Sequence, residues 1–322
     1  MNHPSEKKKV LIIGPNLTLQ QVHHMPSIGY DSVNRATSTK SFASGKGSNV
    51  ARAVRQLGQE STLLSFVGSG VGEILVGKLI EEGIKFHSVP MKSMVRISST
   101  IFDEQLSAIT EVIAQSPSIS AEEEETYFQN AMSLIQSDDF DSLVITGKSP
   151  MLVGRAPVTE RILRDLKVTK KPVLIDLTED FLSTLDFQPN WLLKVNVDEF
   201  DRLYKSWLES GMDLPSPDDI PGSELDEMVQ AAPIARLCVT DSDCTAYIKW
   251  DGNIHNVTPE FLENHEIVNT IGAGDVACAA LSIFLTLEES PGVALEKALR
   301  YASASCKTIL PGDFLNHESP ML

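Results

Sequence analysis

The stretch Asn269-Thr270-Ile271-Gly272-Ala273-Gly274-Asp275 sets a carboxylate one residue beyond a turn of small residues. It follows a short β-like run, residues 266–268, and opens an unbroken apolar run, 276–287, that reads as a buried helix. A strand-to-helix turn leaves backbone N–H groups unpaired, and the helix terminus adds partial positive charge. Gly272, Ala273 and Gly274 carry no large side chain to keep an anion away. A carboxylate beside such an anion site has one obvious role, in which Asp275 takes the proton from a hydroxyl attacking a phosphoryl group. An N-cap aspartate after a glycine turn has the same short sequence, so the motif needs a companion.

Ser44-Gly45-Lys46-Gly47-Ser48-Asn49 is that companion, a second glycine loop opening a helix. Val50, Ala53, Val54 and Leu57 fall on one helical stripe, and Gly58 supplies a C-terminal stop. Together the two segments resemble the PfkB (ribokinase-like) carbohydrate kinase family, whose signatures are close to G-G-K-G-x-N-x-A and D-T-x-G-A-G-D-x-x-x-A-G. Their spacing and the chain length also fit. Lys194-Val195-Asn196-Val197-Asp198-Glu199 looks like the family's K-P-N-x-x-E element. The resemblance implies Mg²⁺ at Asn196 and Glu199, two hard oxygen donors; an ordinary helix start is the competing reading. Asp176, ending a strand on the ligand-binding sheet edge, is an outer candidate for the metal. Val95-Arg96-Ile97-Ser98 resembles the T-R-x-N element of members acting on phosphorylated sugars, which puts Arg96 on the acceptor's phosphate. Asn34-Arg35 and Thr146-Gly147-Lys148-Ser149-Pro150 point to the same 1-phosphofructokinase and tagatose-6-phosphate kinase branch, with Lys148 an added cation near the site.

Several positions depart from the family pattern. Gln20 stands where an aspartate usually binds sugar hydroxyls, and it donates as well as accepts. Ser44 replaces the first glycine before Lys46, and Ser98 replaces the asparagine after the arginine. In Thr240-Asp241-Ser242-Asp243-Cys244-Thr245-Ala246, Ser242 and Thr245 replace two glycines of the nucleotide loop. Asp241 and Asp243 bring negative charge toward a triphosphate, so weaker ATP binding is expected.

Stepwise along the chain, residues 10–13, 62–67, 143–146, 173–176, 192–195 and 237–240 read as buried strands. Residues 73–82, 120–136, 158–166, 198–208, 223–231 and 292–309 read as helices. Ser120 and Glu123 form a capping box, and the acidic run 122–125 is a solvated first turn. The alternation predicts an α/β fold with a doubly wound, mostly parallel sheet, in one domain over 1–322. Segments 16–44 and 90–114 break the alternation; the resemblance makes them a small β lid that also offers a dimer contact. Pro215, Pro217, Pro221 and Gly222 mark a loop before the next helix.

Hydrophobic content of 42% in 322 residues is enough for a large core, and the net charge of −17 argues against nucleic-acid and anionic-membrane partners. No segment approaches the ~20 apolar residues that span a bilayer, and residues 10–13 are too short for a signal core. Cys238, Cys244, Cys278 and Cys306 show no C-x-x-C pair and read as buried free thiols of a cytoplasmic protein. His23-His24 point to opposite faces of an extended chain and make no metal site. The resemblance thus implies an ATP- and Mg²⁺-dependent kinase acting on the primary alcohol of a sugar phosphate. Asp275 is the base, residues 272–274 stabilise the transferring group, and Gln20, Gly45, Lys46, Asn49 and Arg96 hold the acceptor. Lys194, Thr240, Ser242 and Thr245 meet ATP. A kinase of a free sugar or nucleoside, and a non-catalytic sugar-phosphate binder with a degenerate nucleotide loop, are the alternatives.

Overall fold

The computed structural model describes residues 7–106, 108–166, 169–215 and 225–316. The chain opens with β1 (Lys9–Asn16), β2 (Thr18–Met25), β3 (Ser38–Ser44), α1 (Lys46–Gln56), β4 (Glu60–Ser69) and α2 (Val71–Glu81). Next come β5 (Lys85–Met94), β6 (Arg96–Asp103), β7 (Ala108–Ile113), α3 (Ala121–Gln136), β8 (Ser142–Thr146), α4 (Val158–Asp165) and β9 (Val173–Asp176). The last third holds β10 (Trp191–Asn196), α5 (Val197–Glu209), α6 (Leu225–Ala231), β11 (Arg236–Thr240), β12 (Ala246–Trp250), β13 (Asn253–Val257), α7 (Ala273–Thr286) and α8 (Pro291–Ser305). No described helix is long and apolar enough to cross a membrane.

A nine-stranded sheet runs β13-β12-β11-β10-β9-β8-β1-β4-β5. All neighbours are parallel except β11/β12 and β12/β13. Every residue of β8 is buried, as expected of a strand covered on both faces. The strand order reverses at β1, between β8 and β4, which opens a crevice at the carboxyl ends of the strands. Glycine permits the close packing there: a Cβ on Gly47 would lie 2.8 Å from Gly14 Cα. α1 therefore starts directly against β1, which brings Lys46 onto the sheet edge.

A separate four-stranded sheet, β3-β2-β6-β7, forms the lid. Its second segment starts at β6, because residues 90–94 belong to β5 and pair with β4 in the large sheet. Residues 266–268 are not a strand: a 3-10 turn, Asn264–Glu266, precedes the Asp275 motif. α8 ends at Ser305, four residues before the expected end, and its last carbonyls are met by turns at Cys306, Lys307 and Thr308. The Ser120 capping box forms as read. Pro217, Pro221, Gly222 and Ser223 lie outside the described residues. All four cysteines are free, but Cys244 is exposed rather than buried, since it sits in the β11–β12 turn, and Cys306 is only partly buried.

Candidate active site

One cavity of about 840 Å³ lies between the carboxyl edge of the large sheet and the lid, and it holds both glycine motifs. Gly272 has φ +89°, and a Cβ there would stand 2.8 Å from Gly312 N, so both conformation and space demand glycine. The turn is partly self-satisfied: Ala273 N–H donates to Thr270 O at 3.3 Å and Asp275 N–H to Gly272 O at 3.0 Å. The N–H groups of Gly272 and Gly274 have no hydrogen bond among the described residues, so these two donors of the turn are open to an anion. The Lys194 ammonium stands beside them, 3.4 Å from where a Gly274 Cβ would be.

Asp275 lines this cavity yet is only 6% exposed. Asn49 Nδ2 donates to its Oδ2 at 2.7 Å, and Ser44 Oγ donates to Asn49 Oδ1 at 3.2 Å. Burial raises its pKa to about 6, with Lys46 pulling down and Asp176 pushing up. A carboxylate tuned there holds a proton readily and is still ionised at neutral pH, as a base requires.

Asp176 is 1% exposed and engaged by two lysines: Lys46 Nζ donates to Oδ1 at 2.8 Å, and Lys194 Nζ lies 3.7 Å from Oδ2. Burial opposes its charge, but the lysines outweigh it, and its pKa falls below the ordinary value. The ammonium groups respond in kind: burial disfavours both, the carboxylates prevail, and both pKa values rise. Asp176 thus anchors two lysines at the wall of the cavity.

Thr18, Gln20, Ser44, Arg96, Ser98, Glu111 and Ile113 bring the lid into the cavity. Arg96 Nε donates to Thr18 Oγ1 at 2.7 Å, and burial lowers the guanidinium's pKa. Gln20 lines the cavity, and its Nε2 donates to Thr100 Oγ1 at 2.6 Å. Gly45 has φ +110°, and a Cβ there would press to 2.5 Å from Asn16 O. Lys148 is exposed outside the cavity, where its charge acts on Glu179. Asn34 closes a turn on Gly29 and Arg35 is exposed; neither lines the cavity.

At the opposite end, Asn196 and Glu199 face the cavity from the start of α5. They form a reciprocal capping box: Glu199 N–H donates to Asn196 Oδ1 at 2.8 Å, and Asn196 N–H to Glu199 Oε2 at 2.9 Å. Thr240 and Ser242 line the cavity, whereas Thr245 does not and instead bonds Thr258 through its hydroxyl at 2.9 Å. Ser242 has φ +46°, in the left-handed region that costs an L-residue about 1–2 kcal/mol. Ser242→Gly is expected to raise stability by up to about 1 kcal/mol, after glycine's own entropy cost, and to lower KM for ATP. Adding Thr245→Gly should leave that KM unmoved; a KM gain only in the double variant would reverse the assignment.

Sequence reasoning missed Thr18 and Glu111, which enter through lid register, and Phe261 and Cys306, which also line the cavity. It also missed Arg52, buried beneath Asn49. Its place six residues after Lys46 on an apolar helix was the available signal.

The sequence profile of the pfkB family carbohydrate kinases matches residues 7–313, so the chain belongs to that family of sugar kinases. Among its relatives, the 1-phosphofructokinase of Borreliella burgdorferi is 28% identical over 264 residues, covering 81% of this chain and 80% of the other. The 1-phosphofructokinase of Vibrio cholerae is 24% identical over 275 residues, covering 85% and 82%. Phosphofructokinase-2 from Escherichia coli, solved with fructose-6-phosphate, superimposes with a TM-score of 0.75 at 20% identity, covering 93% and 94%. A ribokinase from Thermotoga maritima gives 0.66 at 16% identity, covering 95% of each chain. The fold is ribokinase-like.

Proposed function

We propose that the chain transfers the γ-phosphoryl group of ATP to the primary alcohol of a hexose monophosphate, as its 1-phosphofructokinase relatives are named for doing. The observation that carries this reading is Asp275, with a pKa of about 6, beside the free N–H groups of Gly272 and Gly274 in a cavity that also holds Arg96. Asp275 accepts the acceptor's hydroxyl proton, Asn49 fixes its carboxylate, and the turn with Lys194 meets the charge developing on the transferring group. Lys46 and Arg96 hold the acceptor's phosphate, and Gln20 and Gly45 shape its pocket. Thr240 and Ser242 border the nucleotide. An ADP-release screen with hexose monophosphates and free sugars tests it. Turnover confined to phosphorylated acceptors is expected; turnover only with free sugars or nucleosides overturns the acceptor class.

Arg96→Ala separates those classes. A charge-assisted contact is worth about 1.5–3 kcal/mol, so the acceptor's KM should rise about 10- to 150-fold. KM for ATP should stay in place, and equal effects on both would remove Arg96 from the acceptor.

Mg²⁺ suits the oxygen donors at Asn196 and Glu199, which would hold it with phosphate oxygens and water. It would supply neutralisation of phosphate charge, needed where Asp243 and Glu260 also border the nucleotide end. Glu199→Gln keeps the capping acceptor but removes the charge. The Mg²⁺ concentration for half-maximal rate should rise several-fold, with acceptor affinity unchanged; an unmoved Mg²⁺ titration leaves Glu199 as a helix cap alone.

The lid also supports a homodimer. All of β7 is exposed, and Ile109, Val112 and Ile113 present apolar side chains on an edge strand, which a second copy would cover. Free thiols and ATP chemistry fit the cytoplasm.

A further inference from the structure

Arg96 and Glu111 are the two charged residues that the described lid strands present to the cavity. They do not pair with each other. Arg96 is held by Thr18, and Glu111 has no hydrogen bond or ion pair among the described residues. Register explains the separation. Thr18 pairs with Arg96, Gln20 with Ser98, and Thr100 with Glu111. Arg96, Ser98 and Thr100 alternate onto one face of β6. Glu111, opposite Thr100, therefore stands four residues along the strand from Arg96, about 13 Å of backbone.

Two opposite charges on one face, Arg96 partly buried and Glu111 at the exposed edge where it still lines the cavity, each without a counter-ion, are open to a ligand that completes them. Burial acts on both, raising the Glu111 carboxyl and lowering the Arg96 guanidinium. Between them Gln20 offers no carboxylate and gives one of its two amide N–H groups to Thr100. The lid thus has one free anion-binding group at one end and one free hydrogen-bond acceptor of full charge at the other.

We propose that Glu111 is a specificity-determining residue of the acceptor site, accepting hydrogen bonds from the hydroxyls of a polyol monophosphate whose phosphate lies toward Arg96. This rests on the sugar-phosphate reading above and deepens it. The carboxylate enters from β7 to do what a carboxylate at position 20 would have done from β2. It also repels a second phosphate at its own end, so the site selects a monophosphate and fixes which way it lies.

The test is calorimetric binding, read separately from turnover. Wild type, Glu111→Ala and Glu111→Gln are titrated with fructose 1-phosphate, tagatose 6-phosphate, their 3- and 4-deoxy analogues, and Mg-ATP. Glu111→Ala is expected to weaken binding of at least one parent sugar phosphate about 10- to 100-fold, with Glu111→Gln intermediate and Mg-ATP affinity and melting temperature unchanged. One deoxy analogue should bind wild type as weakly as its parent binds Glu111→Ala, and that variant should no longer distinguish the two. Unchanged sugar-phosphate binding in Glu111→Ala, or a parallel loss of Mg-ATP affinity, overturns the proposal. Wild type that binds these sugar phosphates without phosphorylating them overturns the proposed reaction and leaves the Glu111 comparison to be read. Wild type that binds none of them overturns both.

Discussion

Asp275→Asn is expected to lower kcat by about 10²–10⁴, the range for removing a positioned general base, while both substrates still bind. The substitution preserves the shape of the site, because the introduced amide oxygen still accepts from Asn49 Nδ2, which stands 2.7 Å from the Asp275 carboxylate. The amide does not accept a proton. Wild-type kcat/KM should rise with pH through about 6 and then level, since the base works only when ionised. The residual rate of Asp275→Asn should lose that limb. Unchanged turnover in the variant removes Asp275 as the base.

The same substitution has a second signature. Unfolded, the carboxyl titrates near its ordinary value of 3.8; folded, burial holds it at about 6. Between those values the folded state keeps a proton that the unfolded state has lost, so stability falls as pH rises through that window. Above it the full penalty is present, roughly 3 kcal/mol from the gap between the two values. Asp275→Asn lacks this penalty. Urea unfolding at pH 8 should therefore find the variant more stable by about 2–3 kcal/mol, with the advantage shrinking toward pH 4. A variant no more stable than wild type at pH 8 would mean that the site does not disfavour the charge.

Buried strands were legible because β8, β9 and β10 are short apolar runs covered on both faces. β5 was not. It is an edge strand with polar residues and Pro90, which an edge tolerates, so its pattern resembled the lid. The β12–β13 hairpin does leave a trace in the chain: Asp251-Gly252, with φ +50° and +91°, is a primed hairpin turn. In the site, contiguous motifs carried Lys46, Asn49, Asn196, Glu199 and Asp275 into one cavity. What the sequence hid were partnerships across the chain. Asp176 meets Lys194 because β9 lies beside β10, and Lys46 because α1 starts over the same sheet edge. Glu111 reaches the cavity only through the β6–β7 register.

Arg52 shows most clearly what such long-range contacts do, and Arg52→Ala is expected to cost about 3–5 kcal/mol of stability. The side chain is 3% exposed and meets Glu82 through Nε at 2.7 Å and Nη2 at 3.0 Å. Its remaining donors go to Pro311 O at 2.6 Å, Ala43 O at 2.8 Å and, more weakly, Asn49 Oδ1 at 3.4 Å. Truncation strands both carbonyls in a buried setting, each worth about 1–3 kcal/mol, while half-buried Glu82 recovers part of its loss by hydration. Arg52→Lys should recover less than half, because a single ammonium does not fork to a carboxylate and two carbonyls at once. The effect reaches the chemistry. Gly312 packs against Asn49, where a Cβ would stand 2.6 Å from Asn49 O, so loosening the Pro311 turn loosens the residue that holds Asp275. Arg52→Ala should therefore lower kcat even at temperatures where it is fully folded. Urea unfolding and steady-state kinetics on one preparation decide it. A stability loss under about 1 kcal/mol would mean that the guanidinium's bonds are replaced by water. Full turnover in the folded variant would mean that α1 and Ser44 hold Asn49 without Arg52.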